Sequence, residues 1–165
     1  MSDFDDFRLG LLDNDGSCRD INFAPLALTD CSTIVHRLFA LASGFSGHAS
    51  NGDTLSFDPA AFIESAATIP SAHGVLNDVG GIFTQLQCFA GADHESAFLE
   101  LTFFPKELVC SDDSLVTLVR FLNSLCLDTD ISEYFVRYEN ASWEFGKTGN
   151  GTGVIFTRSQ VATVA

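Results

Sequence analysis

Lysine is nearly missing from this sequence. Lys106 and Lys147 are the only two in 165 residues, and with six arginines they face 22 Asp and Glu, for a formal net charge of −14. A field of that sign repels nucleic acid and anionic lipid and speeds encounter with basic partners. No nucleic-acid or membrane partner is therefore expected. Long apolar runs are missing too: no stretch approaches the roughly 20 residues that span a bilayer. The acidic opening, MSDFDDFRLG, lacks the charged-then-apolar layout of a secretory signal. Cysteines are few, odd in number and scattered (Cys18, Cys31, Cys88, Cys110, Cys126), which suits reduced thiols in a cytoplasmic protein better than a disulfide framework.

What the chain has in quantity is phenylalanine, 16 residues against one Met and one Trp. Each one buried stabilises a fold by roughly 1.5–3 kcal/mol, so an aromatic core is expected. Hydrophobic residues make up 46% and charged residues 18%. That balance fits one globular domain over residues 1–165.

Residues 7–23 read as two short strands about the Asp15-Gly16 turn. Asp30 is expected to cap a helix over 31–43 and Asp58-Pro59 to open another through Thr68. The stretches 43–53 and 70–81 read as loops, rich in Gly, Ser and His. Residues 82–89 and 97–104 alternate as strands, and Pro105 ends the second. Helical spacing of Leu115, Leu118, Val119, Leu122 and Leu125 predicts a helix over 113–126, with Asp112 and Asp113 at its start. Strands over 132–139, 142–145 and 153–158 follow. The order predicts an α+β fold: a mainly antiparallel sheet of five to seven strands, with two to three helices on one face.

The motifs point away from several chemistries. Residues 141–148, ASWEFGKT, satisfy a relaxed phosphate-loop pattern. The four residues inside it (Ser142, Trp143, Glu144, Phe145) are mostly bulky and include a carboxylate. A phosphate loop needs small residues there and a helix after it, so a turn between strands is expected instead. DNDG at 13–16 resembles part of a calcium loop, but Leu11 and Asn22 fall where its acidic anchors belong, and a plain turn accounts for it. The histidines (His36, His48, His73, His94) are not at ligand spacing, and Asp93-His94-Glu95 reads as a solvated tip. No metal site and no cofactor are expected. No Gly-x-Ser-x-Gly elbow occurs.

The segment 131–145 gathers both tyrosines, the single tryptophan, an arginine and three glutamates. Such residues anchor interfaces and also fill half-buried sheets. The expected contact residues for a partner are Glu133, Arg137, Glu139, Trp143, Glu144, Asp112 and Asp113. The expected function is that of a small acidic binding protein, not an enzyme, whose carboxylates gather on one side to meet a basic protein. In general character it is similar to bacterial immunity proteins that neutralise a toxin, such as a nuclease, by occluding its active site. No family motif carries that likeness. Two alternatives stay open: a phenylalanine-lined site for a small apolar ligand, and an enzyme whose residues meet only in the fold.

Overall fold

The alternation of apolar and polar residues along the strand segments resolves, in the computed structural model, into an eight-stranded antiparallel sheet backed by helices. The structure describes residues 3–68, 71–109, 113–139 and 153–164. The strands are β1 (Arg19–Ala24), β2 (Gly44–Ala49), β3 (Thr54–Leu55), β4 (Ser71–Val79), β5 (Phe83–Asp93), β6 (Ser96–Phe103), β7 (Glu133–Tyr138) and β8 (Val154–Thr157). They lie in the order β3-β2-β4-β5-β6-β1-β7-β8. The helices are α1 (Asp3–Leu12), α2 (Leu28–Leu41), α3 (Pro59–Thr68) and α4 (Ser114–Cys126). The core lies between helices and sheet. Leu11, Ile34, Phe62 and Leu118 meet Ile21, Leu76, Leu86, Leu101 and Phe156 there, all fully buried. The phenylalanines pack ring on ring: Phe39 lies 4.9 Å from Phe45 and 5.5 Å from Phe62, and Phe83 lies 5.1 Å from Phe103. No helix among the described residues is long and apolar enough to cross a membrane.

The α+β architecture and the helical segments are as the sequence predicts, with one more strand and one more helix than expected. The extra helix is α1, where a strand is predicted. Phe7 and Leu11, four apart, face inward, and Asp3, Asp5 and Asp6 crowd the first turn, where the helix dipole favours carboxylates. Gly16, at φ 86°, turns the chain from α1 into β1 instead of closing a hairpin. The cap of α2 is Ala27, and Asp30 lies within the first turn. Asp58 accepts from the Ala60 N–H at 3.0 Å, as expected of a cap before Pro59. Asp113 caps α4 through the Leu115 and Val116 N–H groups.

The predicted loops 43–53 and 70–81 are largely β2 and β4. Four of their helix-facing positions are small: Gly47 lies directly opposite Gly74, and Ala49 opposite Ala72. The Phe45 ring covers both glycines, so a Cβ on either would collide with it. Gly74→Ala should therefore lower stability by about 1–3 kcal/mol. Urea unfolding checks this, and a change under about 0.5 kcal/mol would show that the ring yields freely.

Candidate interaction surface

The face of the sheet opposite the helices mixes polar and aromatic residues. Strand register places Thr54, His48, His73, Phe89, Glu100, Asn22, Phe135 and Thr157 in one continuous cross-strand row. Toward β3 this row is exposed, whereas toward β8 it is buried. In the buried half, Arg137 Nε donates to Asn22 Oδ1 at 3.0 Å and Nη2 to Glu100 Oε2 at 2.9 Å, with Asp20 Oδ2 at 3.5 Å. Thr102 donates to Asp20 Oδ1 at 2.6 Å. Burial pushes the Asp20 carboxyl above its usual range, with the Thr102 bond and Arg137 opposing that rise.

The residues predicted to touch a partner thus fall into different settings. Arg137 is buried in this network. Glu133 accepts from the Ser159 N–H and hydroxyl, at 3.1 and 2.6 Å. Glu139 is exposed beyond β7. Asp113 lies on the helical side, where Arg8 of α1 donates to it with Nη2 at 2.6 Å. Asp112, Trp143 and Glu144 lie outside the described residues, as do the whole phosphate-loop match and the strand expected over 142–145. The first described element after that match is the strand β8.

The Arg8 bond and the backbone donors hold the Asp113 carboxyl below its usual range. A depressed carboxyl stabilises the fold above its unfolded pKa, about 3.9, and that contribution is lost as pH falls through the folded value. Asp113→Ala should cost about 1–2 kcal/mol at pH 7, the worth of a cap with its ion pair. Denaturant curves should show the gap closing below about pH 4, and an undiminished gap at low pH would contradict the assignment.

The carboxylates do not gather on one side. Among the described residues, exposed ones lie on α1 by the β8 edge (Asp3, Asp5, Asp6) and at the β2–β3 turn by the other edge (Asp53). Others lie at the β5–β6 tip (Asp93, Glu95) and after α4 (Asp128, Asp130). The cause is local: turns and helix starts each recruit their own acid, as Asp58, Asp113 and Asp15 show. Some of the arginines turn the other way. Arg19 and Arg137 are buried, while Arg37 donates to carbonyls at the end of α4 and Arg158 to the Ile131 carbonyl. Arg120 and Lys106 are exposed, as are most of the described carboxylates.

Three observations among the described residues bear on the alternative chemistries. An apolar groove of about 480 Å³ lies between α2, α3 and the β5–β6 tip, but Leu28, Ile63 and His94 line it and no phenylalanine does. Burial pushes the Cys18 and Cys126 thiols up to about 11 and Cys31 to about 12, and Cys88 upward as well. That is the wrong direction for a nucleophile. No group of three potential metal ligands forms among the described residues.

No protein-family model matches the sequence, and neither does any curated protein. The fold is similar to that of a chain in the 1.75 Å crystal structure of the toxic C-terminal tip of CdiA from Pseudomonas aeruginosa in complex with immune protein. The TM-score is 0.54 at 11% identity, over 86% of this chain and 94% of that chain. At that identity the likeness is one of fold.

Proposed function

We propose that this is a cytoplasmic immunity-type protein that binds a basic toxin and occludes its active site without catalysis. The observation that carries the reading is the fold shared, over nearly its whole length, with a chain from a toxin–immune protein complex. The charge supports it: −14 overall, with Arg19 and Arg137 buried and most of the described carboxylates exposed. A long-range field of this kind steers a basic partner even when its carboxylates are spread, because the monopole acts beyond any single contact. Glu139, with Asp112, Trp143 and Glu144, is proposed to face the partner. Arg137 and Glu133 would shape that surface from within the fold, whereas Asp113 caps α4 on the helical side.

The test is capture of the partner from the native host at low salt, followed by kinetics with the purified pair. A basic protein should be recovered whose toxicity is abolished on equimolar mixing. Its association rate should fall by at least about tenfold between about 0.05 M and 0.5 M salt. A partner that stays toxic in the complex, or whose association ignores salt, would defeat the reading.

A further inference from the structure

The exposed half of the helix-free face brings together two histidines that are 25 positions apart in sequence. His48 of β2 and His73 of β4 are direct cross-strand partners, and both are exposed. Directly opposed residues on one face have Cα atoms about 4.5–5.5 Å apart, within joint reach of two imidazoles. We propose that His48 and His73 form a two-imidazole site for a divalent transition-metal ion.

Three features support this beyond the pairing itself. The His73 ring stacks on Phe89, the next residue along the row, with centroids 4.1 Å apart and planes 11° from parallel. Stacking occupies a face of the ring, whereas a metal binds the nitrogen lone pair in the ring plane. Phe89 thus restricts the ligand without competing for its donor atoms. Second, neither ring takes part in a side-chain hydrogen bond or ion pair among the described residues. The other two histidines are engaged: a His36 ring nitrogen lies 2.8 Å from the Ser32 carbonyl oxygen, and His94 lies beside Asp93 at 3.5 Å. Third, the charge of −14 raises the local concentration of cations.

Imidazole donors select zinc, copper and nickel over calcium and magnesium. With two protein ligands and no third His, Cys, Asp or Glu grouped with them among the described residues, the ion keeps water in its remaining positions. The site therefore lies on the face away from the helices and is open outward.

Zn²⁺ titrated into the tag-free protein tests the site by NMR of the imidazole protons and by calorimetry. The His48 and His73 signals should move together and saturate at one ion per chain. His48→Gln and His73→Gln should each weaken binding by at least about tenfold, because each removes the chelating partner of the other. His94→Gln should leave affinity within about twofold. Both rings are exposed, so unchanged circular dichroism is expected and checks that the variants fold. Shifts confined to His36 or His94 would overturn the proposal. So would affinity that survives either single substitution, or the lack of any saturable binding.

Discussion

Arg19→Met should lower the stability of this protein by about 3–5 kcal/mol, the range expected when a buried charged group is removed and its acceptors are left behind. Arg19 is fully buried. Its Nε donates to the Gly10 carbonyl at 2.7 Å and its Nη2 to the Asp13 carbonyl at 2.7 Å. Its Nη1 reaches the Ser17 hydroxyl at 2.9 Å, and also the Ser17 and Cys18 carbonyls. The guanidinium sits over the Tyr138 ring, 4.4 Å from its centroid. α1 has no basic residue in its last turn, so an arginine from β1 satisfies the carbonyls that the helix end leaves unpaired. Methionine fills similar volume but donates nothing, and Gly10 and Cys18 are buried away from water. At about 2–4 °C per kcal/mol for a chain of this size, the melting temperature should drop by about 10 °C. Arg19→Lys keeps the charge on one compact head and should recover less than half of the loss. Amide exchange should quicken first over Phe7–Leu12. A loss under about 1 kcal/mol, or faster exchange elsewhere first, would show that α1 does not depend on this side chain.

The same residue explains what the sequence conceals. Nothing near Asp15-Gly16 distinguishes a hairpin from a helix-to-strand turn, because both need the positive φ that glycine supplies. What decides is Arg19, whose donors close the end of α1, and that bond set is visible only once the fold exists. β2 and β4 escape a reading by hydrophobic alternation for a different reason. Four of their core-facing positions are Gly47, Ala49, Ala72 and Gly74, and Phe45 supplies the missing bulk from a neighbouring position. Where the core-facing residues are large, as in Leu99, Leu101 and Phe103 of β6 or along α4, periodicity finds the element within a residue or two. The row His48–His73–Phe89–Glu100 joins residues from four strands, and no local spacing announces it. Net charge, in contrast, is readable at once, although where the charges sit is not.

Arg137→Met should also cost about 3–5 kcal/mol at pH 7, and neutralising its acid partners as well separates a structural role from a contact role. Arg137 is the cation between Asp20 and Glu100, both largely buried beside it. Removing it leaves two carboxylates facing each other in a weakly solvated part of the sheet. Burial already pushes the Asp20 carboxyl upward, and loss of Arg137 pushes it further. A carboxyl whose folded pKa is raised is destabilising once pH exceeds its unfolded value of about 3.9. The cost grows until the folded group has ionised, then stays constant. The deficit of Arg137→Met should therefore be full near pH 7 and shrink toward pH 4, closing at higher pH than the Asp113→Ala deficit because the Asp20 carboxyl is raised and the Asp113 carboxyl depressed. Neutralising the acids as well, in Arg137→Met/Asp20→Asn/Glu100→Gln, should recover most of the stability, since the amides can share hydrogen bonds with Asn22 and Thr102. If that triple variant is stable and still binds the captured partner, Arg137 supports the surface without touching what docks on it. If it is stable and binding is lost, the charges of this network belong to the contact itself.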